Sequence, residues 1–271
     1  MTPRLKQEAT PRGRAWRAGA MGAILAWTLG AVATPDPQCP LEIITDRAEA
    51  AIFPTNWLDT SIQARATLLE PAEQPAAHDV IARALAKYPP DLLRAHLDRV
   101  YVLGGLEFRG VSAGGTSSLR AIYVVGRNWY VRTDLERNVH AEISSILWRN
   151  GRVHFDAEAW RRNNPSNFLY RGTGVQAIGD GQASRRLDEK LHPFGFLYEY
   201  ARAELEEDFN SLASGLFTGD TNFWRAVECH PPLRAKADLA IAFYTALDPR
   251  LTPEYFHGLA RAAQLPAAPH R

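Results

Sequence analysis

The chain has 271 residues, of which 46% are hydrophobic and 23% charged, and its formal net charge is +1. This composition excludes disordered, fibrous and low-complexity classes, and the length allows one large domain or two small ones. A charge balance so close to zero implies no basic surface for nucleic acid.

Residues 1–33 read as a signal peptide. Arg4, Lys6, Arg12, Arg14 and Arg17 precede the apolar run AGAMGAILAWTLGAVA, which ends in the small-residue cleavage pattern Ala31-Val32-Ala33. The run falls short of the roughly 20 apolar residues that span a bilayer. The expectation is therefore an exported protein, periplasmic or secreted, with a single domain over residues 34–271 and no stable membrane insertion after cleavage. Removing five basic residues and Glu8 takes the formal charge from +1 to −3. The only two cysteines, Cys39 and Cys229, both lie in the mature part. An oxidising compartment lets them pair, and a Cys39–Cys229 disulfide is the favoured reading, with two unrelated thiols as the alternative. TPDPQC before Cys39 lacks the small apolar residues of a lipoprotein signal.

Further along, AAHDVIARALAKYPPDLLRAHL has helical apolar spacing broken at Pro89-Pro90, which predicts two helices with a sharp bend. RVYVLGGLEF and LRAIYVVG carry the β-branched and aromatic residues of strands bounded by glycines. SAGGTSS between them reads as a flexible turn, and it lacks the strand-to-helix context of a phosphate loop. The stretch RTDLERNVHAEISSILWRNG then predicts a long helix. A loop-rich middle around RRNNPSNFLYRGTGVQAIGDGQASRR leads to further helices in FLYEYARAELEEDFNSLASGLF, NFWRAVE, PPLRAKADLAIAFYTAL and TPEYFHGLARAAQ. The fold class is α+β, helix-dominated, with a small sheet.

In the long helix, Val139, Ile143, Ile146 and Leu147 recur at i, i+4, i+7 and i+8 and define a core-facing stripe. Glu142 lies off that stripe. Its stretch nearly spells H-E-x-x-H, in which two histidines one turn apart hold zinc and the glutamate serves as general base. Here Ala141 and Ser145 stand at the two histidine positions.

Downstream, YARAELEEDF places Tyr200 seven residues before Glu207. With the HAEISSIL stretch, this arrangement resembles the lethal-factor-like branch of the gluzincin metallopeptidases. From ALAKYPPDLLRAHL to LRAKADLAIAFY, over most of residues 80 to 247, the chain looks like a family of bacterial exported zinc-binding metallopeptidases. The resemblance implies a zincin-like catalytic-domain fold, zinc as the cofactor, Glu142 as general base, Glu207 as third zinc ligand and Tyr200 as the hydroxyl that stabilises the transition state. Both residues that replace the histidines are poor zinc ligands. His140 is the nearest substitute, about 100° around a helix from position 141, and His154 and His192 are the other candidates. Two carboxylates brought together without a metal repel, so a cation or His140 is expected between them, or at least one carboxyl should titrate above its ordinary value.

Each residue also has a plain structural reading. Glu206, Glu207 and Asp208 suit the solvated face of an acidic helix, and Tyr200 suits an aromatic core with Phe196 and Tyr198. NNPSNFLY with Trp160 suits a capped turn better than a cleft lining, and Trp148 and Trp224 suit the core. Two functions follow. One is a non-catalytic, pseudopeptidase protein that binds a peptide or protein partner in a cleft; the other is an active zinc metallopeptidase that uses Glu142 with non-standard ligands.

Overall fold

A computed structural model describes residues 41–127 and 132–264. The expected signal peptide and Cys39 lie outside the described residues, whereas Cys229 is exposed.

In chain order the elements are β1 (Glu42–Ile44), β2 (Ala64–Thr67), α1 (Gln74–Leu85), α2 (Pro90–His96), β3 (Arg99–Leu103), β4 (Gly105–Phe108), β5 (Val111–Ser112), β6 (Gly115–Ser117) and β7 (Ala121–Val125). Then come α3 (Arg132–Asn150), α4 (Ala157–Arg162), α5 (Gly174–Gly179), α6 (Leu205–Thr218), α7 (Thr221–Cys229), α8 (Pro231–Leu247) and α9 (Pro253–Ala263). This is an α+β fold dominated by helices. The break between α1 and α2 falls at the two prolines, and Pro90 takes the first turn of α2, where its missing N–H leaves no bond unmade. Among the described residues no helix is long and apolar enough to cross a membrane.

Four strands form one sheet in the order β1-β3-β7-β6. The first three run parallel and β6 runs antiparallel to β7, with Thr116 opposite Tyr123. A second sheet, β2-β4-β5, is antiparallel. The two faces of β3 and β7 divide the interior. Val100, Val102, Ile122 and Val124 join the helical core, and Tyr101, Leu103, Tyr123 and Val125 pack with Ile52, Phe53 and Trp57. The sequence expectation for SAGGTSS was a turn. Its Gly115 to Ser117 instead form the edge strand β6, because pairing to β7 outweighs the weak strand preference of glycine and serine.

Helix α3 lies between the sheet and the other helices, against α1, α6, β6 and β7. Its stripe of Val139, Ile143, Ile146 and Leu147 is buried as the spacing implies, yet its other faces are buried too. Several of the buried polar groups there find partners. Ser144 Oγ lies 2.6 Å from His140 O and 2.7 Å from Tyr244 Oη, and Ser145 Oγ accepts from Asn210 Nδ2 at 2.8 Å.

One predicted helix is divided. Tyr200 lies in a 3₁₀ turn, Glu199–Arg202, and α6 begins only at Leu205. Leu205, Phe209, Leu212 and Leu216 supply the buried stripe of α6. Gly219, at φ +68°, closes its C-terminus in the left-handed conformation that glycine adopts without steric cost. Asp208 is not on a solvated face. It is fully buried, its Oδ2 accepting from Lys236 Nζ and Tyr170 Oη at 2.7 Å and from Trp160 Nε1 at 2.9 Å. Trp160 is therefore core, as are Trp148 and Trp224.

Candidate functional site

The facing surfaces of α3 and α6, with the turn before α6 and the segment after α5, carry four candidate side chains of one cluster. Glu142 comes from α3, Glu207 from the first turn of α6, Tyr200 from the 3₁₀ turn and Arg185 from the segment between α5 and that turn. Tyr200 Oη donates to Glu207 Oε1 at 2.9 Å. The Arg185 guanidinium lies over the Tyr200 ring, 4.7 Å from its centroid, and donates to Asn138 Oδ1 on α3.

Glu142 is 8% exposed. Burial pushes its carboxyl up to about 7 against the opposing charges of Arg185 and Arg149 and a hydrogen bond from Ser117, while Glu206 adds to the rise. Arg149 Nη2 in turn donates to Ser117 Oγ at 2.8 Å, so a short chain of donors leads to the Glu142 carboxyl. Glu207 is pushed up to about 8, first by burial and then by the Glu142 and Glu204 charges, against the pull of Arg185 and the Tyr200 hydroxyl. The Tyr200 phenol is held far above its ordinary range by burial and by the Glu207 charge. The cation in the field of both carboxyls is thus Arg185.

Two glycines make the close approach possible. A Cβ at Gly115 on β6 would stand 3.0 Å from Glu142 Oε1, and one at Gly174 would stand 2.3 Å from Tyr200 Oη and 2.8 Å from Glu207 Oε1. Gly174 N–H also donates to Glu204 Oε1 at 3.0 Å. The backbone therefore closes on the cluster from the sheet on one side and from the start of α5 on the other.

His140 does not join the cluster. It is fully buried on another face of α3, where Nδ1 lies 2.9 Å from Tyr88 Oη, Nε2 lies 3.6 Å from Glu136 Oε1 and the ring stacks on Phe217. Burial lowers its pKa, so the imidazole is neutral and engaged elsewhere. A turn of about 200° around the helix separates it from Glu142. His192 is buried with Nε2 near Leu197 O, and His154 is exposed in a short turn.

Catalytic zinc takes three protein ligands and a water. Around Glu142 the two imidazole positions present a methyl group and a hydroxyl already bound by Asn210, Glu207 supplies one carboxylate, and a guanidinium adds positive charge. Among the described residues no group of three His, Cys, Asp or Glu side chains is arranged to hold a metal. This donor set does not fit zinc. It can bind or release a proton near neutral pH, hold a hydrogen-bonded ligand, and balance one negative charge.

Sequence reasoning missed Arg185, Asn138 and Glu204. The only signal for Arg185 was indirect, the need for some cation once the imidazoles are gone. Comparisons with protein-family models, curated proteins and solved structures yield no match to the chain.

Proposed function

We propose that this chain is an exported, metallopeptidase-like protein of zincin-like fold that binds a peptide or protein partner without cleaving it. The observation that carries this reading is the guanidinium of Arg185 among Glu142, Tyr200 and Glu207, at a site whose imidazole positions are Ala141 and Ser145. In this reading the cluster keeps the base and the tyrosine, while its donors do not suit the zinc that would polarise a peptide carbonyl. The proposed function then follows the site and not the ancestry that the sequence resemblance implies.

The binding surface in this reading is the edge of β6. Val125 N–H donates to Gly114 O at 3.0 Å and Ser118 N–H to Ala121 O at 2.8 Å. The antiparallel alternation then turns the backbone groups of Gly115 and Ser117 away from β7. An extended peptide would add there as a further strand, over Glu142. The test is selection of randomised hexapeptides on the purified protein, followed by mass spectrometry of the bound pool after long incubation. The reading expects enriched peptides that stay intact and lose binding to a Gly115→Pro variant. Cleaved peptides, or no enrichment over a Gly115→Pro control, would contradict it.

One observation favours the alternative of an active hydrolase. A carboxyl near 7 is well placed for general acid–base work. That reading requires Glu142→Gln to abolish cleavage of a peptide that the wild type cuts.

A further inference from the structure

We propose that Arg185 is the resident cation of the Glu142–Glu207 site, a guanidinium that closes the pair to divalent metal by charge, so that metal can enter only when Arg185 is withdrawn or removed. The proposal rests on the non-catalytic reading above and deepens it. Loss of two histidines alone would leave two carboxylates and a phenol, which is still a weak oxygen site for a hard cation. The positive charge beside them makes the site hostile as well as incomplete.

The guanidinium is held in place from several sides. Its donor to Asn138 Oδ1 ties it to α3, and its stacking on Tyr200 ties it to the turn before α6. The segment that carries it is pinned at both ends to residues 197–203. Gly172 N–H donates to Ala203 O at 2.9 Å and Arg171 N–H to Arg202 O at 3.3 Å. At the other end Tyr200 N–H donates to Ser184 O at 3.1 Å and Asp188 N–H to Leu197 O at 3.0 Å. The backbone under Arg185 is thus fixed, and the Asn138 hydrogen bond and the Tyr200 ring contact are what hold its side chain inward. The ionisable groups that face it are the Glu142 and Glu207 carboxyls and, uncharged because burial raises them, the Tyr200 and Tyr198 phenols. Arg186, the next residue, is exposed, whereas Arg185 is half-buried against the cluster.

A metal held by Glu207 would meet the like charge of the guanidinium stacked on Tyr200, in a half-buried setting where Coulomb repulsion is screened less than in water. Charge, not shape, should then govern metal entry. The experiment restores the two imidazoles, Ala141→His with Ser145→His, and measures zinc affinity by competition with a chromogenic chelator in three versions: Arg185 retained, Arg185→Lys and Arg185→Gln. The expected result is a gain of roughly 30-fold or more for Arg185→Gln over the retained arginine, little gain for Arg185→Lys, and loss of the gain when Glu207→Gln is added. A change below about threefold for Arg185→Gln, or an equal gain for Arg185→Lys, would overturn the proposal.

Should the glutamine variant fail to fold, crystals of the two-histidine protein soaked in zinc give the second measurement. Zinc density at Glu207 with Arg185 displaced from Tyr200 and Asn138 supports the proposal, and zinc density with Arg185 still in place overturns it. Peptide cleavage by the wild type would sink the non-catalytic reading instead, and leaves these affinities to be judged on their own.

Discussion

Replacing Glu142 by glutamine should stabilise the protein above neutral pH and leave its stability nearly unchanged in acid. The carboxyl is 8% exposed and its pKa rises from 4.5 to about 7, with burial the largest cause. Because the folded-state value lies above the unfolded one, the folded chain holds a proton over an interval in which the unfolded chain has released it. Stability therefore falls as pH rises from about 4.5 to about 7, and the loss is complete above that. At about 1.4 kcal/mol per pKa unit the loss is on the order of 3 kcal/mol. Glutamine has the shape of the protonated acid and never ionises, so at pH 8 the variant should exceed the wild type by an amount of that order, a melting difference of roughly 6–12 °C for a chain of this size. Thermal or urea unfolding of both proteins between pH 4 and 9 tests it. Equal stability at pH 8, or a difference that does not change with pH, would refute the reasoning that burial controls this carboxyl.

Other predictions follow from particular contacts. Lys236→Met should cost about 3–5 kcal/mol by stranding the buried Asp208 charge, whereas the double variant with Asp208→Asn should lose clearly less than the sum of the two single losses, since asparagine keeps an oxygen for Trp160 and Tyr170; additive losses in urea unfolding would argue against it. Gly174→Ala should destabilise by about 1–3 kcal/mol through its clash with Tyr200 Oη, while Gly179→Ala, where nothing lies within 4 Å, should stay close to wild type. Equal melting temperatures for the two would count against the close packing at α5. If the chain is exported as proposed, peptide mapping without reductant should find Cys39 joined to Cys229, and two unmodified thiols would rule the bond out.

The elements most legible in the sequence were those with a strong local signal. The prolines at 89 and 90 divide α1 from α2, the β-branched runs give β3 and β7, and the stripe from Val139 to Leu147 marks the core face of α3. What was not legible depends on partners distant in the chain. β6 is made of residues with little strand preference and exists because β7 pairs with it. Asp208 looks like one of three surface acids until Lys236, 28 residues later, is seen to bury it. Tyr200 and Glu207 do meet, but across a 3₁₀ turn and a helix start, not along one helix. His140 is adjacent to the motif in sequence and turned toward Tyr88 in space. Arg185 lies in a polar stretch without periodicity, beside a second arginine, and nothing local distinguishes the one that enters the cluster.

The central claim is that the Glu142–Tyr200–Glu207 cluster works with a guanidinium and without a metal. Metal content of the wild-type protein, purified without chelators and measured by plasma mass spectrometry beside its Glu207→Gln variant, tests that claim most directly. The account predicts far less than one zinc per chain, with no difference between the two proteins. One zinc per chain in the wild type, lost in Glu207→Gln, would contradict it.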